Sequence, residues 1–226
     1  MNLPKFFITL ALSTLLLPCA LSDIPRPEHP RPDFWRDAWL NLNGEWNFAF
    51  DKEDQGEKEK WFQAGKKNWP QKIVVPYPWE SELSGIGDTE YQGTAWYQRT
   101  FTIPEEWQGK QIFVKFGAVD WYAKVWVNGK YLGEHEGGYT PFSFMINEAL
   151  ADRDEHVLTV MARDTTSPEQ PVGKQIGWYT RTSGIWQTVY LEAASELNKP
   201  FIENISIDTE LNGNVKIEVI PSRTPY

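Results

Sequence analysis

Short runs of β-branched and aromatic residues, each closed within a few positions by a turn former, are the feature that most constrains this fold. They are Trp46-Asn47-Phe48-Ala49-Phe50, Lys72-Ile73-Val74-Val75, Trp96-Tyr97-Gln98-Arg99-Thr100-Phe101, Gln111-Ile112-Phe113-Val114-Lys115-Phe116 and Val157-Leu158-Thr159-Val160. Runs of this length and composition read as half-buried strands. The sharpest local signal is Ala123-Lys124-Val125-Trp126-Val127, then Asn128-Gly129, then Lys130-Tyr131-Leu132-Gly133. Asn-Gly accepts positive φ at both central positions, so it closes a two-residue hairpin. Helical periodicity is nearly absent, with room for one or two turns between Gly56 and Ala64. Many closely spaced strands with few helices predict an all-β, two-sheet sandwich. With 226 residues, 15% of them aromatic, the chain affords one such core and barely more.

Both ends of the chain read differently. Lys5, the apolar run from Phe6 to Leu17 and the small-residue pattern Ala20-Leu21-Ser22 form a secretory signal peptide over residues 1–22, and the expected location is secreted or periplasmic. The run is too short for a membrane span, which needs about 20 residues, and no later stretch approaches that length. The single cysteine, Cys19, falls inside this segment, so the mature chain is expected to carry no disulfide and no sulfur ligand for a metal. Lipidation at Cys19 is the weaker alternative, because Pro18 stands where a small residue belongs.

Prolines at 25, 27, 30 and 32 make residues 23–32 an extended arm that lies along a surface. The strand pattern then runs over residues 33–195 and breaks at Ser195-Glu196-Leu197-Asn198-Lys199-Pro200, a linker. Two further strand signals follow, Phe201 to Asp208 and Val215 to Ile220, joined by a turn at Asn212-Gly213. Two strands bury no core of their own, so they either pack on the first domain or begin another. The formal charge of −9 makes the chain a poor candidate for gripping phosphate backbones, so no nucleic-acid partner is expected.

Several segments carry a family likeness: His29-Pro30-Arg31-Pro32, Leu42-Asn43-Gly44-Glu45-Trp46, Trp96-Tyr97-Gln98-Arg99, Val125-Trp126-Val127-Asn128-Gly129 running into Gly133 to Phe142, and Arg181-Thr182-Ser183-Gly184-Ile185-Trp186-Gln187. Together they make residues 29 to about 192 resemble the N-terminal sugar-binding domain of family 2 glycoside hydrolases, the group of β-galactosidases, β-glucuronidases and β-mannosidases. The resemblance implies a galactose-binding-like jelly roll over residues 33–195. Residues 200–226 would then be the first strands of an immunoglobulin-like second domain, with a catalytic (β/α)₈ barrel beyond it in complete enzymes. It also implies a carbohydrate partner, a β-glycoside or oligosaccharide, and no cofactor.

No catalytic residue is assigned. Retaining glycosidases need two carboxylates about 5–5.5 Å apart, and the resemblance places both on the barrel. Asn147-Glu148-Ala149 superficially matches the family's acid/base motif but sits between sandwich strands, and reads as a loop or short turn. Glu134-His135-Glu136 reads as a strand end before the Gly137-Gly138 bend rather than a metal cluster, since neighbours on a strand point to opposite faces. Sugar sites pair aromatic platforms with a few polar groups, and most tryptophans of a sandwich fill its core. Trp46, Trp96, Trp126 and Trp186 are assigned to the core by their strand patterns. Asp120, Trp121, Trp178, Tyr179 and Arg181, beside turn-rich segments, are the candidate sugar-contacting residues. In some β-galactosidases an acidic residue from this region touches the sugar; here Trp178-Tyr179-Thr180 stands in that place without an Asp. Two readings follow: a non-catalytic sugar-binding domain of a secreted glycoside hydrolase, or a purely structural sandwich with no sugar affinity of its own. Asn204-Ile205-Ser206 has the form of a glycosylation sequon.

Overall fold

In the computed structural model, residues 24–150, 153–165 and 179–222 are described. Residues 1–22, read above as a signal peptide, and with them Cys19, lie outside the described residues. Among the described residues there are fourteen strands, all paired antiparallel: β1 (Trp39–Asn41), β2 (Gly44–Asp51), β3 (Gln71–Val75), β4 (Gly93–Phe101), β5 (Lys110–Phe116), β6 (Val119–Asp120), β7 (Tyr122–Val127), β8 (Lys130–Glu136), β9 (Phe142–Met145), β10 (His156–Asp164), β11 (Gly184–Ile185), β12 (Val189–Glu196), β13 (Ile202–Thr209) and β14 (Val215–Pro221). A six-stranded sheet in the order β3-β2-β4-β10-β7-β8 faces a four-stranded sheet in the order β1-β12-β5-β9. The fold is the all-β jelly-roll sandwich that the strand pattern and the family likeness predict.

Period-two alternation decides what each strand buries. Trp46 and Phe48 of β2, Ala95 and Tyr97 of β4, and Leu158, Val160 and Ala162 of β10 meet Ile112, Val114 and Phe116 of β5 and Val189 and Leu191 of β12 in one core. The intervening residues point the other way and build a second, smaller core: Ala49, Trp96, Trp126 and Met161, covered by Trp61 with Phe62 and Trp69. Trp96 and Trp126 are buried as expected, but on the outer face of the six-stranded sheet. The cover is the segment around Gly56–Ala64, which forms linked turns (Glu59 N–H to Gln55 O, Trp61 N–H to Gly56 O, Gln63 N–H to Lys60 O) and no helix. Gly56 makes this possible, since a Cβ there would lie 2.4 Å from the Trp96 indole nitrogen.

The Asn128-Gly129 turn closes β7 onto β8 with φ of 52° and 80° at its two residues. Asn147-Glu148-Ala149 is a single 3₁₀ turn. There the Asn147 side chain accepts from Ile112 N and donates to Lys110 O, each at 2.8 Å, while exposed Glu148 pairs with Lys130. His135 stacks on Phe142, and Glu134 accepts hydrogen bonds from the Tyr122 and Tyr131 hydroxyls.

The arm lies across β1 and β12. Asn41 and Asn43 donate to the Arg26 and Pro25 carbonyls, and the His29 ring packs edge-on against Trp39 and Tyr190. β13 and β14 form a separate two-stranded sheet, and its turn carries Gly213 at φ 89°. Among the described residues no helix is long and apolar enough to cross a membrane.

Candidate functional site at one end of the sandwich

Two very short strands, β6 and β11, pair with each other and close one end of the sandwich. They bring together residues from four distant segments: the loop after β3, the end of β10, the β6–β7 junction and the stretch leading into β11. Gly184 sits at the crossing with φ 76°, where a Cβ would come within 2.1 Å of the Tyr97 hydroxyl and 2.9 Å of the Trp79 ring. Only glycine tolerates both the conformation and the crowding.

Around that crossing stand three carboxylates. Glu80 and Asp164, 5% and 9% exposed, both contact the hydroxyl of Ser183, at 2.5 Å and 2.6 Å. Glu80 also accepts from the Ser183 backbone N–H at 3.1 Å. Burial pushes both carboxyls above their ordinary range, only partly offset by the Ser183 hydrogen bonds and, for Asp164, by the field of Arg181.

Asp120, on β6, is the third. Burial, then the negative fields of Asp164 and Glu80, push its carboxyl up to about 7. Its side chain makes no hydrogen bond or ion pair among the described residues. It lies against Gly138, where a Cβ would fall 2.4 Å from the carboxyl carbon.

Aromatic rings adjoin Gly138, the residue that packs against this carboxylate. The Trp186 indole donates to Gly138 O at 2.7 Å, and its ring meets Tyr139 edge-on at 5.8 Å. Tyr139 is 56% exposed and Tyr179 63% exposed. An open aromatic surface next to an unpartnered carboxylate suits a ligand with apolar C–H faces and many hydroxyl donors.

The sequence candidates divide accordingly. Asp120 and Trp121 stand together at the β6–β7 junction, with the Trp121 backbone bonded to Arg163 O and Gly137 N. The Trp121 indole nitrogen is buried without a partner among the described residues, so it braces the junction rather than offering a donor to solvent. Arg181 does not pair with Asp120. Its guanidinium donates to the carbonyls of Thr89 and Tyr91 at 3.1 and 3.3 Å, and its field falls on Asp164. Tyr179 is exposed, and Trp178 lies outside the described residues.

Trp186, assigned to the core from its strand-like surroundings, is only half-buried, because β11 ends at Ile185 and leaves the next residue at the surface. Glu80, Asp164, Ser183 and Tyr139 were not singled out by sequence reasoning. The crowded Gly137-Gly138-Tyr139 bend was the one signal available for the last of them. No group of three or more His, Cys, Asp or Glu is set to hold a metal among the described residues.

Comparison with known proteins places this chain in a family. The family model described as "Glycosyl hydrolases family 2, sugar binding domain" matches residues 40–194. The chain is 34% identical over 174 residues to a β-galactosidase of Thermoanaerobacterium thermosulfurigenes, covering 75% of this chain and 23% of that protein. It is 32% identical over 150 residues to the β-glucuronidase of Canis lupus familiaris, covering 62% and 23%. Among solved structures, a β-glucuronidase from Ruminococcus gnavus in complex with D-glucuronic acid superposes with a TM-score of 0.66 at 26% identity, over 84% of this chain and 36% of that one. The Lactobacillus rhamnosus β-glucuronidase gives a TM-score of 0.67 at 28% identity, over 84% and 34%. The chain thus spans between 13% and 36% of the length of these and similar relatives. By the match over most of its sandwich, the chain belongs to the sugar-binding domain family of the family 2 glycosyl hydrolases.

Proposed function

We propose that this chain is the non-catalytic, sugar-facing domain of a secreted glycoside hydrolase, and that it meets carbohydrate through the β6–β11 end of its sandwich. The observation that carries the reading is the Asp120 carboxyl, without a partner among the described residues, near the exposed Tyr139 ring and the half-buried Trp186 ring, in a domain whose relatives are β-glucuronidases and β-galactosidases. A sugar hydroxyl donates to Asp120, and an apolar ring face rests on the aromatics. β13 and β14, a separate sheet exposed along most of its length, are the opening strands of an immunoglobulin-like second domain in this reading.

The test is titration of the chain with methyl β-galactoside, methyl β-glucoside and β-glucuronic acid, followed by tryptophan fluorescence and by NMR shifts around Asp120. Saturable changes are expected with at least one sugar, weakened at least several-fold in the Asp120→Asn and Tyr139→Ala variants. The chain alone should release nothing from chromogenic β-glycosides, and N-terminal sequencing of the exported protein should begin at Asp23. No response to any sugar would leave the purely structural reading. Hydrolysis by the chain alone would overturn the non-catalytic one.

A further inference from the structure

Ser183 presents two oxygen–oxygen contacts, 2.5 Å to Glu80 and 2.6 Å to Asp164, and it owns a single hydroxyl proton. Contacts this short between oxygens each need a proton between them. The serine supplies one; the other must sit on one of the two carboxyl groups, whose exposures of 5% and 9% leave little room for water to intervene. Both carboxylates ionised would leave one bare oxygen pair facing without a proton, in a poorly screened corner.

We infer that Glu80, Ser183 and Asp164 form a clasp that holds one proton in the folded protein at neutral pH, and that this proton fastens the Arg181–Ile185 stretch to the sheet. The inference is independent of whether the end of the sandwich binds sugar.

Three segments meet here: Glu80 from the loop after β3, Asp164 from the end of β10, and Ser183 from the residue before β11. The charged or titratable groups facing them, among the described residues, are Asp120 on β6, Arg181 on the stretch that the clasp holds, and Tyr97 on β4. Asp120 feels the negative field of the pair, and Arg181 opposes the proton's hold at Asp164. Losing the proton to solvent leaves the Glu80–Asp164 pair carrying two negative charges instead of one. Repulsion then loosens β11 from β6, and with it the placement of Asp120 and Trp186.

The sign of the pH effect follows from linkage. The clasp carboxyls sit above their unfolded values, so below about pH 4 both states are protonated and the clasp contributes fully. As pH rises, the unfolded chain gives up its protons first, and the folded state loses stability until the clasp proton has also gone.

The decisive variant is Glu80→Gln. Its amide oxygen accepts from the Ser183 N–H, its amide nitrogen donates to the Ser183 hydroxyl, and that hydroxyl donates to Asp164, so the pattern survives with no proton to lose. Unfolding of the wild-type chain near pH 7 should release about one proton more than unfolding of Glu80→Gln, and the variant's stability should depend less on pH through the same range. Equal proton release from the two would overturn the clasp. Should Glu80→Gln not fold, infrared spectroscopy of the Asp120→Asn chain decides. A protonated-carboxyl C=O stretch at neutral pH supports the clasp, because Asp120 no longer supplies one. Its absence overturns it.

Discussion

Gly184 shows how much one residue carries at the end of this sandwich. Its φ of 76° lies in the left-handed region, and a Cβ there would meet the Tyr97 hydroxyl at 2.1 Å and the Trp79 ring at 2.9–3.0 Å. Both neighbours are fully buried aromatic side chains of the main core, with nowhere to retreat. Gly184→Ala therefore combines a left-handed penalty with overpacking, each costing about 1–3 kcal/mol. We expect a loss on the order of 3 kcal/mol in denaturant unfolding, with the β6–β11 pair and the Ser183 contacts disturbed first. A change within experimental error would mean that the aromatic cluster is looser than its packing indicates. That this glycine precedes Ile185-Trp186 was plain in the sequence, where it helped carry the family likeness. Why it must be glycine was not, because the atoms that exclude a side chain come from Trp79 and Tyr97, on other strands and loops.

At the scale of elements, legibility followed period and length. β2, β4, β5, β7 and β10 were readable because five or more residues suffice to display alternation, and the β7–β8 hairpin because Asn-Gly names its own turn. β6 and β11 have two residues each, too few for a period, so the pairing that builds the candidate site left no trace in the sequence. The clasp was equally hidden: Glu80 and Ser183 lie 103 residues apart and meet only through the fold. The second core lies between these extremes. Trp96 and Trp126 announce burial, but nothing in their own strands says that a turn-rich segment covers the outer face. Trp61 is that cover, 7% exposed, 5.9 Å from the Trp96 ring, with its indole bonded to Glu59 and Lys67 lying 3.4 Å over its face. Trp61→Ala should cost about 3 kcal/mol, toward the lower end for a buried aromatic because the site opens to solvent on one side. It should also shift Trp96 fluorescence to the red as water reaches it. Unchanged emission would show that Trp69 and Phe62 close the gap.

For the whole molecule, the question is whether β13 and β14 belong to the cooperative unit of the sandwich. Among the described residues the contacts lie at their base: Phe201 against Phe113 at 5.6 Å, the Arg36 guanidinium over Phe201 and donating to Ile202 O, and Arg31 donating to Asn204 at 3.3 Å. The buried residues of the main core end at Ala193, with none from either strand of the hairpin. Beyond the base the hairpin is apolar and open, with Ile207 50% and Ile217 61% exposed and Val215 and Val219 alongside. An uncovered two-stranded sheet of this composition invites pairing with other copies through its edges and faces. Removing residues 203–226 should therefore leave the melting temperature of the sandwich within about 3 °C, while light scattering and sedimentation show less self-association. Ile217→Thr with Val219→Thr should reduce association in the same direction, since threonine keeps the strand preference and removes apolar surface. A fall of more than about 5 °C on truncation would instead make the hairpin part of the sandwich's own cooperative fold. Unchanged association in both variants would move the sticky surface elsewhere, to the exposed aromatics at the β6–β11 end.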